Sequence, residues 1–149
     1  MSILFINGSP DKNGNTAALA EKAAGGRKYH SLHLVDYKIY GYGQNFADDQ
    51  FLEVVDAMKE AETILIGSPV YWHNMSGMVR NLLDRFYGPV KQGELRGRKM
   101  AFLFQGAAPE AWMLEKAEYT MKRFAAMYGM EYLGMATSRR EAEALSHKL

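Results

Sequence analysis

Residues 3–16 read ILFINGSPDKNGNT. Four apolar residues, Ile3 to Ile6, run into Asn7-Gly8-Ser9-Pro10. Asn15-Thr16 then opens a segment with helical character, Ala17 to Ala24, which Gly25-Gly26 closes. A short apolar run bounded by turn residues is a buried strand, and a glycine pair after an alanine-rich stretch is a helix stop. The unit is therefore strand, polar loop, helix.

The same alternation continues downstream. Tyr29 to Val35 reads as a second strand. Asp48 and Asp49 are N-cap candidates for a helix with Phe51, Leu52, Val55 and Met58 on one face. Thr63 to Gly67 (TILIG) is a third buried strand, and Ser76 caps a helix bearing Val79, Leu82, Leu83 and Phe86 that stops at Gly88-Pro89. Lys99 to Phe104 is a fourth strand. Pro109 suits the first turn of a helix reaching about Tyr128, with Gly129 as its C-cap. Met130 to Thr137 is the fifth strand, and the polar residues from Ser138 form a short helix or a tail. Five strands separated by four helices predict an α/β fold, a parallel sheet covered on both faces. Residues 1–149 read as one domain, without repeat or linker. Right-handed crossovers bring the loops after strands one, three and four to one edge, where ligands of such sheets bind.

Composition narrows the function classes. The sequence is 48% hydrophobic and 23% charged, the balance of a soluble globular protein. A net charge of +1 with scattered Lys and Arg gives no nucleic-acid footprint. With no cysteine, these residues build no disulfide, thiolate metal site or iron–sulfur cluster. His30 and His33 would lie on opposite faces of a strand, so no shared metal is expected. No apolar stretch approaches the ~20 residues of a membrane span. The N-terminus has no signal-peptide pattern, and the expectation is a cytoplasmic protein.

The first loop leads into a helix start, whose unpaired N–H groups and dipole suit an anion. Gly8 and Gly14 let the backbone approach it closely, and Ser9, Asn15 and Thr16 add uncharged donors. Five residues separate the two glycines and Asn15 stands where a Walker A lysine belongs, which excludes that motif; GxGxxG is absent too. The residues alone leave open a polar turn that only caps the helix. The loop after strand three, Ser68-Pro69-Val70-Tyr71-Trp72-His73-Asn74-Met75-Ser76-Gly77, places two aromatics, an amide and an imidazole at the ligand edge. A planar heteroaromatic ring stacked on Tyr71 or Trp72 accounts for them; packing between loop and helix accounts for them equally.

Together, NGSPDKNGNT and GSPVYWHNMSGMVRNLLDRF resemble the NAD(P)H-dependent FMN reductase family of flavodoxin-like proteins. The resemblance implies a flavodoxin-like three-layer sandwich with a five-stranded parallel sheet in the order 2-1-3-4-5. It implies FMN at the switch point, with the phosphate in the Ser9, Pro10, Asn13, Gly14, Asn15, Thr16 loop. The ribityl chain and ring would lie along Pro69, Val70, Tyr71, Trp72, His73, Asn74 and Met75, with Gln105-Gly106 as a third wall. It implies an enzyme of the FMN reductase or quinone reductase type. NADPH or NADH would reduce the flavin, which would pass two electrons to a quinone, flavin or similar small acceptor. It also implies a homodimer. No side chain is strictly required as an acid or base in that exchange, so no catalytic residue is named. His73 is a candidate to stabilise negative charge on the reduced ring. The alternative is a flavodoxin-type electron carrier without its own NAD(P)H oxidation; such carriers dock through strongly acidic surfaces, and a net charge of +1 weighs against it. Many relatives carry cysteines after strand two. Here that stretch is Tyr37 to Phe46, whose tyrosines at 37, 40 and 42 would either edge the substrate pocket or pack within their own loop.

Overall fold

A computed structural model describes residues 2–149. Strands β1 (Ile3–Asn7), β2 (His30–His33), β3 (Thr63–Tyr71), β5 (Lys99–Gln105) and β6 (Glu131–Ala136) form a parallel sheet in the order β2-β1-β3-β5-β6. A two-residue strand, β4 (Asn74–Met75), pairs antiparallel with the end of β3. With β4 set aside, this is the 2-1-3-4-5 order of a flavodoxin-like sandwich.

Alternation along each strand divides the core into two layers. Leu4, Ile6, Ile64, Ile66, Met100, Phe102 and Phe104 pack under α2 (Phe51–Glu60), α3 (Gly77–Arg85) and α4 (Ala111–Met127). Ile3, Phe5, Leu65, Ala101 and Leu103 pack under α1 (Asn15–Ala24) and α5 (Arg139–Ser146). The polar C-terminal residues are thus a helix, whose Ala142 and Leu145 share this layer with Leu19, Ala20 and Ala23 of α1. Opposite them, Phe86 meets the edges of Phe51 and Phe124 at centroid distances of 5.5 and 4.8 Å.

Several details of these elements differ from expectation. In α2 the buried stripe is Phe51, Val54, Val55 and Met58; Leu52 lies a quarter-turn off it and is 61% exposed. The N-cap of α2 is Gln50; Asp49 instead accepts from the Phe51 N–H at 2.8 Å, and Asp48 binds Lys38 and Tyr40. Strand β2 stops at His33, where a single 3-10 turn, Leu34–Asp36, buries Leu34. Pro109 precedes α4, whose N-cap is Glu110.

Candidate active site

Because β1, β3 and β5 are parallel and adjacent, their C-terminal ends reach one edge, and the structure binds those ends together. The Gly8 N–H donates to the Gly67 carbonyl at 2.8 Å, and Ser76 Oγ donates to the Gly8 carbonyl at 2.7 Å. A Cβ at Gly8 would collide with Val79 Cγ2, and one at Gly67 would stand 2.6 Å from Thr16 Cγ2, so the close approach requires glycine at both. Gln105 Nε2 donates to Thr16 Oγ1 at 3.4 Å, joining the end of β5 to the start of α1.

In the first loop, Ser9 and Thr16 are buried, while Pro10, Asn13 and Asn15 face solvent. Gly14 is the N-cap of α1 and offers no side-chain acceptor, and the first helical bond runs from Ala18 N–H to the Gly14 carbonyl at 3.1 Å. The N–H groups from Asn15 to Ala17 therefore precede the helical ladder and point out of an uncapped helix start. That start fits a phosphate: it supplies donors and the positive end of a dipole. Lys12 is drawn off into an ion pair with Asp36 at 2.7 Å, and the Asn13 N–H is held by Asp11 Oδ1 at 3.0 Å.

The predicted loop after β3 is instead a β-hairpin. The strand continues through Ser68-Pro69-Val70-Tyr71 and returns through Asn74-Met75, with Val70 opposite Met75 and Tyr71 opposite Asn74. Trp72 (φ 47°) and His73 (φ 64°) form its two-residue tip in the left-handed region, the geometry of a type I′ turn. Neither is glycine, so the tip is strained. Ser68 Oγ accepts from the Ser76 N–H at 2.8 Å and fixes the hairpin base. Met75 is buried in the core and Asn74 Oδ1 accepts from the Met75 N–H, whereas Trp72 is 94% exposed and Tyr71 half-exposed.

Across from the tip lies a cleft of about 360 Å³, walled by Val70, Trp72 and His73 on one side and by Gly106 to Glu110 with Met113 on the other. His73 faces the indole of Trp112 with centroids 5.9 Å apart, and Trp112 Nε1 donates to Glu110 Oε2 at 2.7 Å. Trp112, Glu110 and Met113 were not expected from the sequence. The signal for them was an aromatic residue in the first turn of a helix that opens at the ligand edge.

The 37–50 segment does not wall this cleft. Tyr40 OH donates to Asp48 at 2.9 Å and its ring packs on Phe46, while Tyr42 lies edge-on to Tyr87. Arg85 grips the segment, binding Asp49 through two nitrogens at 2.5 and 3.1 Å and the Tyr40 carbonyl at 2.8 Å. Its guanidinium, hydrogen-bonded to Asp49, holds that carboxyl at about 2. Three neighbouring basic residues, Arg96, Arg98 and Lys99, sit at the opposite end of the sheet, where Arg98 binds the Lys59 and Arg96 carbonyls.

Comparison with known families places this architecture. The family model for NADPH-dependent FMN reductase matches residues 1–142. The chain belongs to this FMN reductase family. An iron–sulfur flavoprotein of Archaeoglobus fulgidus is 38% identical over 98 residues, covering 57% of this chain and 48% of the relative. YwqN of Bacillus subtilis, assigned as an NAD(P)H-dependent FMN-containing oxidoreductase, is 29% identical over 94 residues, covering 58% and 52%. The chain thus spans about half the length of these two relatives. The structure of a Trp repressor binding protein from Bacillus subtilis superposes with a TM-score of 0.79, over 99% of this chain and 98% of that one; at 20% identity this is a likeness of fold. Unlike an iron–sulfur flavoprotein, these 149 residues have no cysteine with which to hold a cluster.

Proposed function

We propose that the chain is a single FMN-binding domain that oxidises NADPH or NADH and passes two electrons to a quinone, a flavin or a similar small acceptor. The observation that carries this reading is the uncapped start of α1, tied through Thr16 and Gln105 to the wall of an aromatic cleft. A phosphate held at that start and a planar ring held in that cleft would be the two parts of FMN.

When bound, FMN supplies the redox chemistry, and the protein supplies placement. The N–H groups of Asn15 to Ala17, with Ser9 and Thr16, would hold the phosphate. Tyr71 and Trp72 would offer aromatic faces to the ring, and the 105–109 segment would close its other side. His73, at the exposed tip, would set the charge at the ring edge. Each turnover with a quinone consumes one NAD(P)H and one proton and yields NAD(P)⁺ and hydroquinone. A cytoplasmic homodimer belongs to the same proposal. Its support is the aromatic rim of the cleft, Trp72 and half-exposed Trp112, which a second copy would cover. Among the described residues no helix is long and apolar enough to cross a membrane.

The test is a spectrum and an anaerobic titration. The protein mixed with FMN and freed of excess should be yellow, be bleached by NADPH or NADH alone, and regain colour with a quinone. Gly8→Ala, which drives a methyl into Val79, should abolish flavin retention. A yellow protein that neither nucleotide bleaches without a separate reductase would instead be a carrier, and the proposal would fall.

A further inference from the structure

Asn7 is fully buried at the end of β1, and both ends of its amide are engaged. Oδ1 accepts from the Ser9 N–H at 3.0 Å. Nδ2 donates to the Asp11 carbonyl at 3.3 Å and lies 3.1 Å from His33 Nδ1, on the half-buried last residue of β2. From there the bonding continues along the loop. Ser9 Oγ accepts from the Asp11 N–H at 3.1 Å, and Asp11 Oδ1 accepts from the Asn13 N–H at 3.0 Å. A continuous chain of hydrogen bonds thus runs from His33 to the residue before the N-cap of α1.

The amide nitrogen of Asn7 only donates, so His33 Nδ1 must accept, and the ring must carry its proton on Nε2. A doubly protonated ring would set an N–H against the Asn7 NH₂. Rotating the amide gives no escape, because it turns the NH₂ onto the Ser9 N–H. This loop conformation is compatible with neutral His33 only. We infer that His33 is a positioning residue for the phosphate-holding loop, acting through Asn7, and that it makes FMN affinity fall as the pH falls. The inference rests on the phosphate site proposed above.

The groups facing His33 come from three elements. Lys12 of the loop, Glu21 of α1 and Tyr29 ahead of β2 line the same polar hollow of about 260 Å³. Asp11 reaches the shared Asn7 through its carbonyl, and Asp36 is paired with Lys12. Imidazole ordinarily titrates near neutrality. Protons favour the loosened loop and the phosphate favours the ordered one, so each weakens the other. A through-space attraction between imidazolium and phosphate would have the opposite sign, so the direction of the pH effect separates the two.

The test is flavin fluorescence titration of FMN and riboflavin between about pH 8 and about pH 5.5, with wild type, His33→Asn and His33→Leu. Asparagine keeps an acceptor for Asn7 and does not titrate; leucine removes the acceptor. The phosphate's own second ionisation lies in the same range, so the profile is read as the difference between wild type and His33→Asn. Loss of one buried hydrogen bond predicts about a tenfold greater fall in FMN affinity for wild type than for His33→Asn. His33→Asn should match wild type at about pH 8, and His33→Leu should be weak throughout. Riboflavin, lacking the phosphate, should bind all three alike. Identical profiles for wild type and His33→Asn, or wild-type affinity that rises in acid, would overturn the role of His33 while leaving the phosphate site standing. Wild type that binds FMN no tighter than riboflavin would remove the phosphate site, and this inference with it. Should His33→Leu fail to fold, the wild-type and His33→Asn profiles decide alone.

Discussion

The Asp49–Arg85 pair gives the sharpest handle on the segment after β2. Both side chains are about five-sixths buried, at 16% and 15% exposure. Asp49 accepts from Arg85 twice and from the N–H groups of Phe51 and Tyr40. The Arg85 hydrogen bond is the largest cause that moves the carboxyl from 3.8 to about 2. At about 1.4 kcal/mol for each pH unit, this corresponds to roughly 2 kcal/mol. Asp49→Asn would remove that contribution and leave the guanidinium with the Tyr40 carbonyl and the face of Phe51, 5.0 Å away. The expected loss is about 2–3 kcal/mol, since a buried ion is left without its partner. For a chain of this length that is a fall in Tm of roughly 5–10 °C. Urea melts of both proteins across pH provide the assay. The folded value lies below the unfolded one, so the ion pair stabilises fully above about pH 4 and its contribution is lost as the pH falls through about 2. The gap between wild type and Asp49→Asn should therefore narrow in acid. A gap under about 0.5 kcal/mol at pH 7, or one that persists unchanged in acid, would refute the reasoning.

Two further outcomes follow from side chains in unusual settings. Replacing Trp72-His73 with Asn-Gly, the pair that type I′ turns favour, should raise stability by about 1–2 kcal/mol by relieving two left-handed residues. Flavin affinity should fall with it, as the exposed ring is lost; urea melts run beside flavin titrations check both, and unchanged stability would mean that the tip is not strained. Tyr132 is partly buried, donates to Glu118 Oε2 at 2.9 Å, and has its phenol pushed well above the usual range, by burial first and then by that carboxylate. Its contribution is complete below about pH 10 and is lost at higher pH, so Tyr132→Phe should flatten the alkaline decline in stability, as read by denaturation at several pH values.

The strands were legible in the sequence because buried parallel strands are near-continuous apolar runs, as in Ile3 to Ile6 and Thr63 to Gly67; their order was implied by the family resemblance alone. The first loop was legible as an open helix start because Gly14 precedes a helix without offering a cap. Less visible was what depends on partners distant in sequence. Pro69 to Met75 looks like a loop by composition, since polar and aromatic residues replace the aliphatic run; pairing with β4 turns it into a hairpin. Leu52 satisfies helical spacing with Val55, but the stripe set by Phe51 and Met58 excludes it. For the tyrosines at 40 and 42 the sequence left open a pocket rim or a packed loop, and it could not name the partners they meet, Asp48, Phe46 and Tyr87. No motif joins Asn7 to His33: their bond spans 26 positions and exists only because β1 and β2 lie side by side.

The bonds among Gly8, Gly67, Ser76, Thr16 and Gln105 have a consequence for the entropy of ligand capture. Three chain segments that would otherwise wander are ordered by the fold itself, so their ordering cost is met when the protein folds and not when a ligand arrives. Contacts made with a ligand there are then not offset by the ordering of these segments. The same bonds make the folded state the ligand's receptor in the thermodynamic sense: whatever occupies that edge stabilises the whole sheet in proportion to the logarithm of its concentration.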